Sequence, residues 1–153
     1  NGSATDLEIP NTVKTIGAYA CADHQAMKTL KILEAGNYRY AENNCFKVEE
    51  SNGISISKSA DCATFDAAKV IYPLTVRPAK AGDSFCPFGM EGHKLLSDFM
   101  TDRKMTILEK RRQLVVTDRE GEIIWVVGLR TDHRYRVTNQ TSQILRITLA
   151  KTL

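Results

Sequence analysis

Apolar positions recur along this chain with two different spacings, and the switch between them marks the elements. Short runs at 29–34, 38–41 and 46–50 have strand length and are rich in β-branched and aromatic residues, so they predict strands. The last is followed by Asn52-Gly53 and the alternating Ile54 and Ile56, a pattern that predicts a hairpin because both central turn residues need positive φ. A further run, 70–76, contains Pro73, which cannot donate to a ladder and points to an edge or bulged strand. Residues 13–27 fit neither period.

Punctuation then thickens: Pro78, Gly82, Pro87, Gly89 and Gly92 predict a shaped loop. Behind it Leu95, Leu96, Phe99 and Met100 fall at helical spacing, with Lys94, Asp98 and Asp102 on other faces. Thr106 and Glu109 form a capping box, in which the hydroxyl takes an orphan N–H and the carboxylate reaches back, so a second short helix should start there. Strands follow at 114–117 and 123–127; five consecutive apolar residues imply burial on both faces and a central position, with Trp125 in the core. A turn through Glu120-Gly121 separates them, and 134–137 and 144–149 alternate as half-buried strands do. The expected fold is α+β: mixed, mostly antiparallel sheets with two short helices.

Composition changes this picture only through charge. Of 153 residues, 25% are charged, the net charge is +3, and no apolar stretch is long enough to span a bilayer. From residue 77 onward there are 14 Lys/Arg against 9 Asp/Glu, and before it 7 against 9, so basicity is segregated in the second half. Such asymmetry points to a polyanion partner. The start at Asn1, with no export signal behind it, leads us to expect a fragment of a longer protein. Four cysteines without a Cys-x-x-Cys pair read as buried free thiols, and Asn139-Gln140-Thr141 has meaning as a glycosylation sequon only in a secreted chain.

Catalytic patterns are missing. The sequence has no Gly-x-Ser-x-Gly elbow, no P-loop and no His-x-x-x-His pair, so a self-contained enzyme is not expected. A metal on Cys86 and His93 would need two more ligands that their neighbourhood does not supply, and Asp83 suits a turn better than proton abstraction.

The positive charge is the stronger signal. Lys94, Arg103, Lys104, Lys110, Arg111 and Arg112 fall within nineteen residues on the two short helices, where the first helix start could add backbone N–H groups for a phosphate. Arg130, Arg134 and Arg136 form a second group; alternation puts Arg134 and Arg136 on one face and turns Tyr135 into the core. With no exposed aromatic beside these groups, recognition of folded RNA by shape and backbone is expected rather than base stacking.

These pieces together resemble the C-terminal domain of bacterial tRNA(Ile)-lysidine synthetases. The resemblance is carried by Gly82-Asp83, Pro87-x-Gly89-Met90-x-Gly92, Lys94-Leu95-Leu96-Ser97-Asp98-Phe99, Asp102-Arg103-Lys104, the basic turn 109–112, Ile124-Trp125-Val126-x-Gly128-x-Arg130 and Arg134-Tyr135-Arg136-Val137. It implies a division into a linker-like, β-rich segment 1–64 and a tRNA-binding domain 65–153, with a fold shared with a domain of the phenylalanyl-tRNA synthetase β chain. It further implies a cytoplasmic parent enzyme that uses ATP with magnesium to attach lysine to the wobble cytidine of isoleucine tRNA. That chemistry belongs to a catalytic domain with a Ser-Gly-Gly-x-Asp-Ser loop, which this sequence lacks, so no cofactor is expected in this chain. The implied partners are tRNA(Ile) near its acceptor stem and the catalytic domain; a homodimer with a second copy is a separate expectation.

On this reading Lys94, Arg103, Lys104, Arg111 and Arg112 neutralise phosphates, and Arg130, Arg134 and Arg136 extend the footprint. Relatives often carry two or three basic residues after the Met-x-Gly; here His93, Lys94 and Leu95 follow, so the contact should strengthen as His93 protonates. The rival expectation is a structural or dimerisation module that packs on the catalytic domain and touches no RNA.

Overall fold

The computed structural model describes residues 13–14, 29–40 and 44–151. Its strands are β1 (Val13–Lys14), β2 (Leu30–Ile32), β3 (Gly36–Tyr40), β4 (Asn44–Ser51), β5 (Cys62–Asp66), β6 (Leu74–Pro78), β7 (Ser84–Phe85), β8 (Lys94–Leu95), β9 (Leu114–Thr117), β10 (Ile123–Val126), β11 (Arg130–Thr131) and β12 (Ile144–Lys151). Two helices, α1 (Leu96–Asp102) and α2 (Ile107–Arg112), lie between β8 and β9. One sheet has the order β1-β3-β4-β12-β5, the second β11-β10-β9-β6-β2, and β7 pairs with β8 alone. Apart from the parallel β1–β3 pair, every pairing is antiparallel, and the fold is the expected α+β class.

The two large sheets share a core. Tyr38, Phe46, Val48, Phe65 and Ile147 from one meet Leu30, Leu74, Val76, Val116 and Trp125 from the other, and the Phe46 and Trp125 rings meet edge to face at 6.5 Å. The second sheet buries its other side under α1, where Phe85, Leu96, Phe99, Met100, Val115, Ile123 and Val126 cluster. That sandwiching is why 123–126 reads as an unbroken apolar run: a register irregularity between Ile123 and Trp125 puts Ile124 and Trp125 on one face, Ile123 and Val126 on the other. Each buried Leu, Phe or Met of α1 stabilises its docking by about 1.5–3 kcal/mol.

Several expectations need correction. Asn52-Gly53 forms no hairpin: Gly53 has no positive φ, its N–H goes to Ser51 Oγ at 3.0 Å, and Ile54 and Ile56 are exposed. Both edges of β4 are already taken, by β3 and β12, so no ladder position remains for a hairpin partner. The strand expected at 70–76 begins only at Leu74, after Pro73, and so runs between β2 and β9 rather than at an edge. The alternating stretch 134–137 is not a strand; residues His133–Tyr135 form a 3-10 turn in which the Asp132 side chain caps the Arg134 N–H. Residue 64 lies within β5, and β4 and β12 pair along eight residues. Most of 13–27, Cys21 and His24 lie outside the described residues.

No helix among the described residues is long and apolar enough to cross a membrane. Cys86 is a buried free thiol, as read, whereas Cys45 and Cys62 are free but only half-buried.

Candidate nucleic-acid interface

The loop 79–93 is shaped by one ion pair. Arg77 clasps Asp83 through two parallel bonds of 2.9 and 3.0 Å, and Asp83 also accepts the Lys80 N–H at 2.8 Å. Asp83 is thus a turn residue. Its carbonyl takes the Leu96 N–H at 2.8 Å, and Asp98 sits in the first turn of α1, so the helix start offers less to a phosphate than its sequence implies. Helix α1 ends with Lys104 in the left-handed region at φ 61°, where Met105 N–H reaches back to Met100 O at 3.2 Å. Thr106 and Glu109 make the full capping box of α2, and Lys110 ties the helices together through Thr101 Oγ1 at 2.8 Å.

The expected phosphate ligands fall into two electrostatic groups. Lys94 is ion-paired with Asp102, and Arg134 is held by Asp132 and Glu122, so both charges are answered within the chain. Asp132 is fully buried and accepts from Cys86 N–H at 2.9 Å, Arg134 N–H at 2.8 Å and the Arg134 guanidinium at 2.9 and 3.0 Å. The hydrogen bonds to Asp132 raise the Arg134 pKa above its ordinary value, against the opposing effect of burial. Burial, then the Asp132 charge, pushes the Cys86 thiol up.

Arg103, Lys104, Arg111, Arg112 and Arg130 are exposed, and among the described residues none has a carboxylate within ion-pairing distance. Arg103, which caps the C-terminal end of α1, and Arg130 from β11 both lie against one ring, their guanidinium carbons 5.5 and 5.7 Å from the centre of Phe99. Two like charges against one ring, with no carboxylate within ion-pairing distance among the described residues, make a surface that favours a polyanion. Arg136 donates to His133 O at 2.9 Å and lines, with Arg130, a cleft of about 420 Å³. The structure therefore unites Arg103 and Arg130 and keeps Lys104, Arg111 and Arg112 on the adjoining helix pair. It removes Lys94 and Arg134 from the freely charged set.

His93 is exposed and Cys86 buried, its Sγ donating to Met90 O at 3.2 Å, so these two side chains do not form a site. Among the described residues no group of three His, Cys, Asp or Glu could hold a metal ion. Two features escaped the sequence reading. Phe88 is 52% exposed in the same cleft as Arg130 and Arg136, and Lys58 reaches that cleft from the chain before β5. An aromatic between Pro87 and Gly89 belongs to no hydrophobic period, and that isolation is the signal that could have found it.

Comparisons with known proteins agree with this architecture. Residues 74–148 match the family model described as the TilS substrate C-terminal domain. The tRNA(Ile)-lysidine synthase of Parabacteroides distasonis is 43% identical over 90 residues, covering 59% of this chain and 20% of that protein. The chain thus spans about a fifth of the length of that relative. A crystal structure of a TilS C-terminal domain superposes with a TM-score of 0.70 at 21% identity, covering 82% of this chain and 99% of the other. An N-terminal fragment of the phenylalanyl-tRNA synthetase β-subunit from Pyrococcus horikoshii gives 0.52 at 20% identity, over 58% and 28% of the two chains. At these identities both structures speak for the fold alone.

Proposed function

From the match of residues 74–148 to the family model of TilS substrate C-terminal domains, we propose that this chain grips isoleucine tRNA for a lysidine-forming ligase. The observation that carries the reading is the meeting of Arg103 and Arg130 over Phe99 without a carboxylate partner among the described residues. Lys104, Arg111 and Arg112 continue the positive surface along the helix pair, and phosphates near the acceptor stem are the groups it would neutralise. Lys94 and Arg134 contribute less, because Asp102, Asp132 and Glu122 already answer them.

The parent enzyme would use ATP, magnesium and lysine in a separate catalytic domain. Among the described residues no group of three His, Cys, Asp or Glu is placed to hold a metal ion, and the sequence has no phosphate loop. Titration of the chain with isoleucine tRNA across salt concentrations tests the reading: affinity should fall steeply, by roughly 0.7 to 0.9 log units per log unit of salt for each phosphate neutralised. Binding indifferent to salt would overturn it.

One observation favours a second reading. Helix α2 buries no side chain, and Ile107 and Leu108 are 70% and 56% exposed, an apolar pair suited to packing on another domain or on a second copy of the chain. If that is its role, Ile107→Ser with Leu108→Ser weakens protein association and leaves the salt slope of RNA binding unchanged.

A further inference from the structure

The cleft beside β11 contains three cations and no acid. Lys58, Arg130 and Arg136 line it together with Phe88, Trp125 and Thr64, and not one lining residue carries a negative charge. Its volume, about 420 Å³, lies in the range of pockets that hold small ligands. The aromatic wall is fixed in advance. The Phe88 N–H donates to Thr131 O at 2.9 Å, the ring leans on His133 at 5.8 Å between centres, and Gly89 N–H donates to His133 Nδ1 at 3.1 Å. A preorganised aromatic loses little freedom when a flat partner stacks on it.

Backbone groups add a third kind of contact. Strand β5 is an edge strand, and its ladder to β12 is framed by Leu149 N–H to Asp61 O at 2.8 Å and Ala67 N–H to Gln143 O at 2.9 Å. In antiparallel alternation the main-chain groups of Cys62 and Thr64 then face away from β12; Cys62 N–H turns to Ser59 O at 3.1 Å, and Thr64 lines the cleft. Ring, cations and an open strand edge together match the parts of an unpaired nucleotide: a flat base, a phosphate and a hydrogen-bonding base edge.

We propose that this cleft takes one unpaired nucleotide of the bound RNA, its base stacked on Phe88 and its phosphate between Arg130, Arg136 and Lys58. Arg130 joins the two surfaces, since the same side chain leans on Phe99 toward Arg103 and borders the cleft. The inference rests on the RNA reading above but concerns the cleft rather than the helix pair, and the two can fail separately. It also replaces the expectation that no aromatic accompanies the basic groups.

The test uses the full chain and three RNAs: a blunt hairpin, the same hairpin with a short single-stranded 3′ overhang, and the overhang sequence alone, with binding read by fluorescence anisotropy. The overhang hairpin should bind more tightly than the blunt one. Phe88→Ala should erase that advantage, about 5- to 100-fold, while leaving the blunt affinity unchanged, and Phe88→Trp should restore it. Arg103→Ala should weaken both hairpins by the same factor. Equal binding of the two hairpins, or an overhang advantage that survives Phe88→Ala, overturns the cleft assignment even if duplex binding stands. Phe88-dependent binding of the single strand without binding of the blunt hairpin keeps the cleft and overturns the helix-pair reading. Absence of binding to all three overturns both.

Discussion

Two basic regions of this domain look alike in sequence and differ in what their charges do. Around the 3-10 turn His133–Tyr135, Arg134 is spent internally: Glu122 and the fully buried Asp132 hold it, and Asp132 also accepts the Cys86 N–H, which fastens the turn to that loop. At the end of α1, Arg103 and Lys104 project without a carboxylate partner among the described residues, and Arg130 joins Arg103 over Phe99. A count of cations does not separate the two regions; the placement of Asp132 and Glu122 does. Charge that is answered inside the fold becomes costly to leave without its partner, and charge left unanswered is available to a partner outside.

The sharpest way to break this contrast is to remove Asp132. Asp132→Ala deletes the acceptor for two backbone N–H groups and the Arg134 guanidinium in a fully buried place, so chemical denaturation should show a loss of about 3–5 kcal/mol. Its effect on the affinity for a blunt duplex per folded molecule should be slight, since Arg103 and Arg130 are untouched. A loss below about 1 kcal/mol would mean that the cluster is not structural.

A smaller effect appears at alkaline pH. Tyr135 donates to the buried Asp118 at 3.0 Å; burial first, then the Asp118 charge and this bond, raise its pKa above the ordinary value of about 10. A folded-state pKa above the unfolded one gives stability that is complete below about pH 10 and is lost as pH rises toward the folded value. Stability measured against pH should therefore fall less steeply above pH 10 in Tyr135→Phe than in the unaltered chain. Identical profiles would contradict the account of Tyr135.

The smallest expected shift carries the opposite sign. Lys104 occupies a helix-end position that favours glycine, so Lys104→Gly should stabilise the fold by about 1 kcal/mol while reducing RNA affinity. A substitution that improves one property and harms the other separates fold from function at the second region, as Asp132 does at the first.

Legibility followed the same division. Ile123, Ile124, Trp125 and Val126 were readable as doubly buried, and Thr106 with Glu109 as a capping box, because local pattern and burial agree there. The hairpin at Asn52-Gly53 failed because β4 had no free edge, a fact about β3 and β12 that no local pattern contains. The alternation at 134–137 was misread because Asp132, two residues before Arg134, caps a turn instead. Of the candidate site, the sequence identified the cations but not their partners, since Lys94 with Asp102 and Arg134 with Glu122 are neighbours only once folded.

The most direct measurement of the central claim compares salt slopes of isoleucine tRNA binding for two variants. Arg103→Ala with Arg130→Ala should flatten the log-log slope by roughly 1.5 to 2 units, whereas Lys94→Ala, whose charge Asp102 already balances, should change it by less than about 0.5. Equal slopes for the two variants, or a larger change for Lys94→Ala, would contradict the assignment of RNA contact to the unpaired arginines.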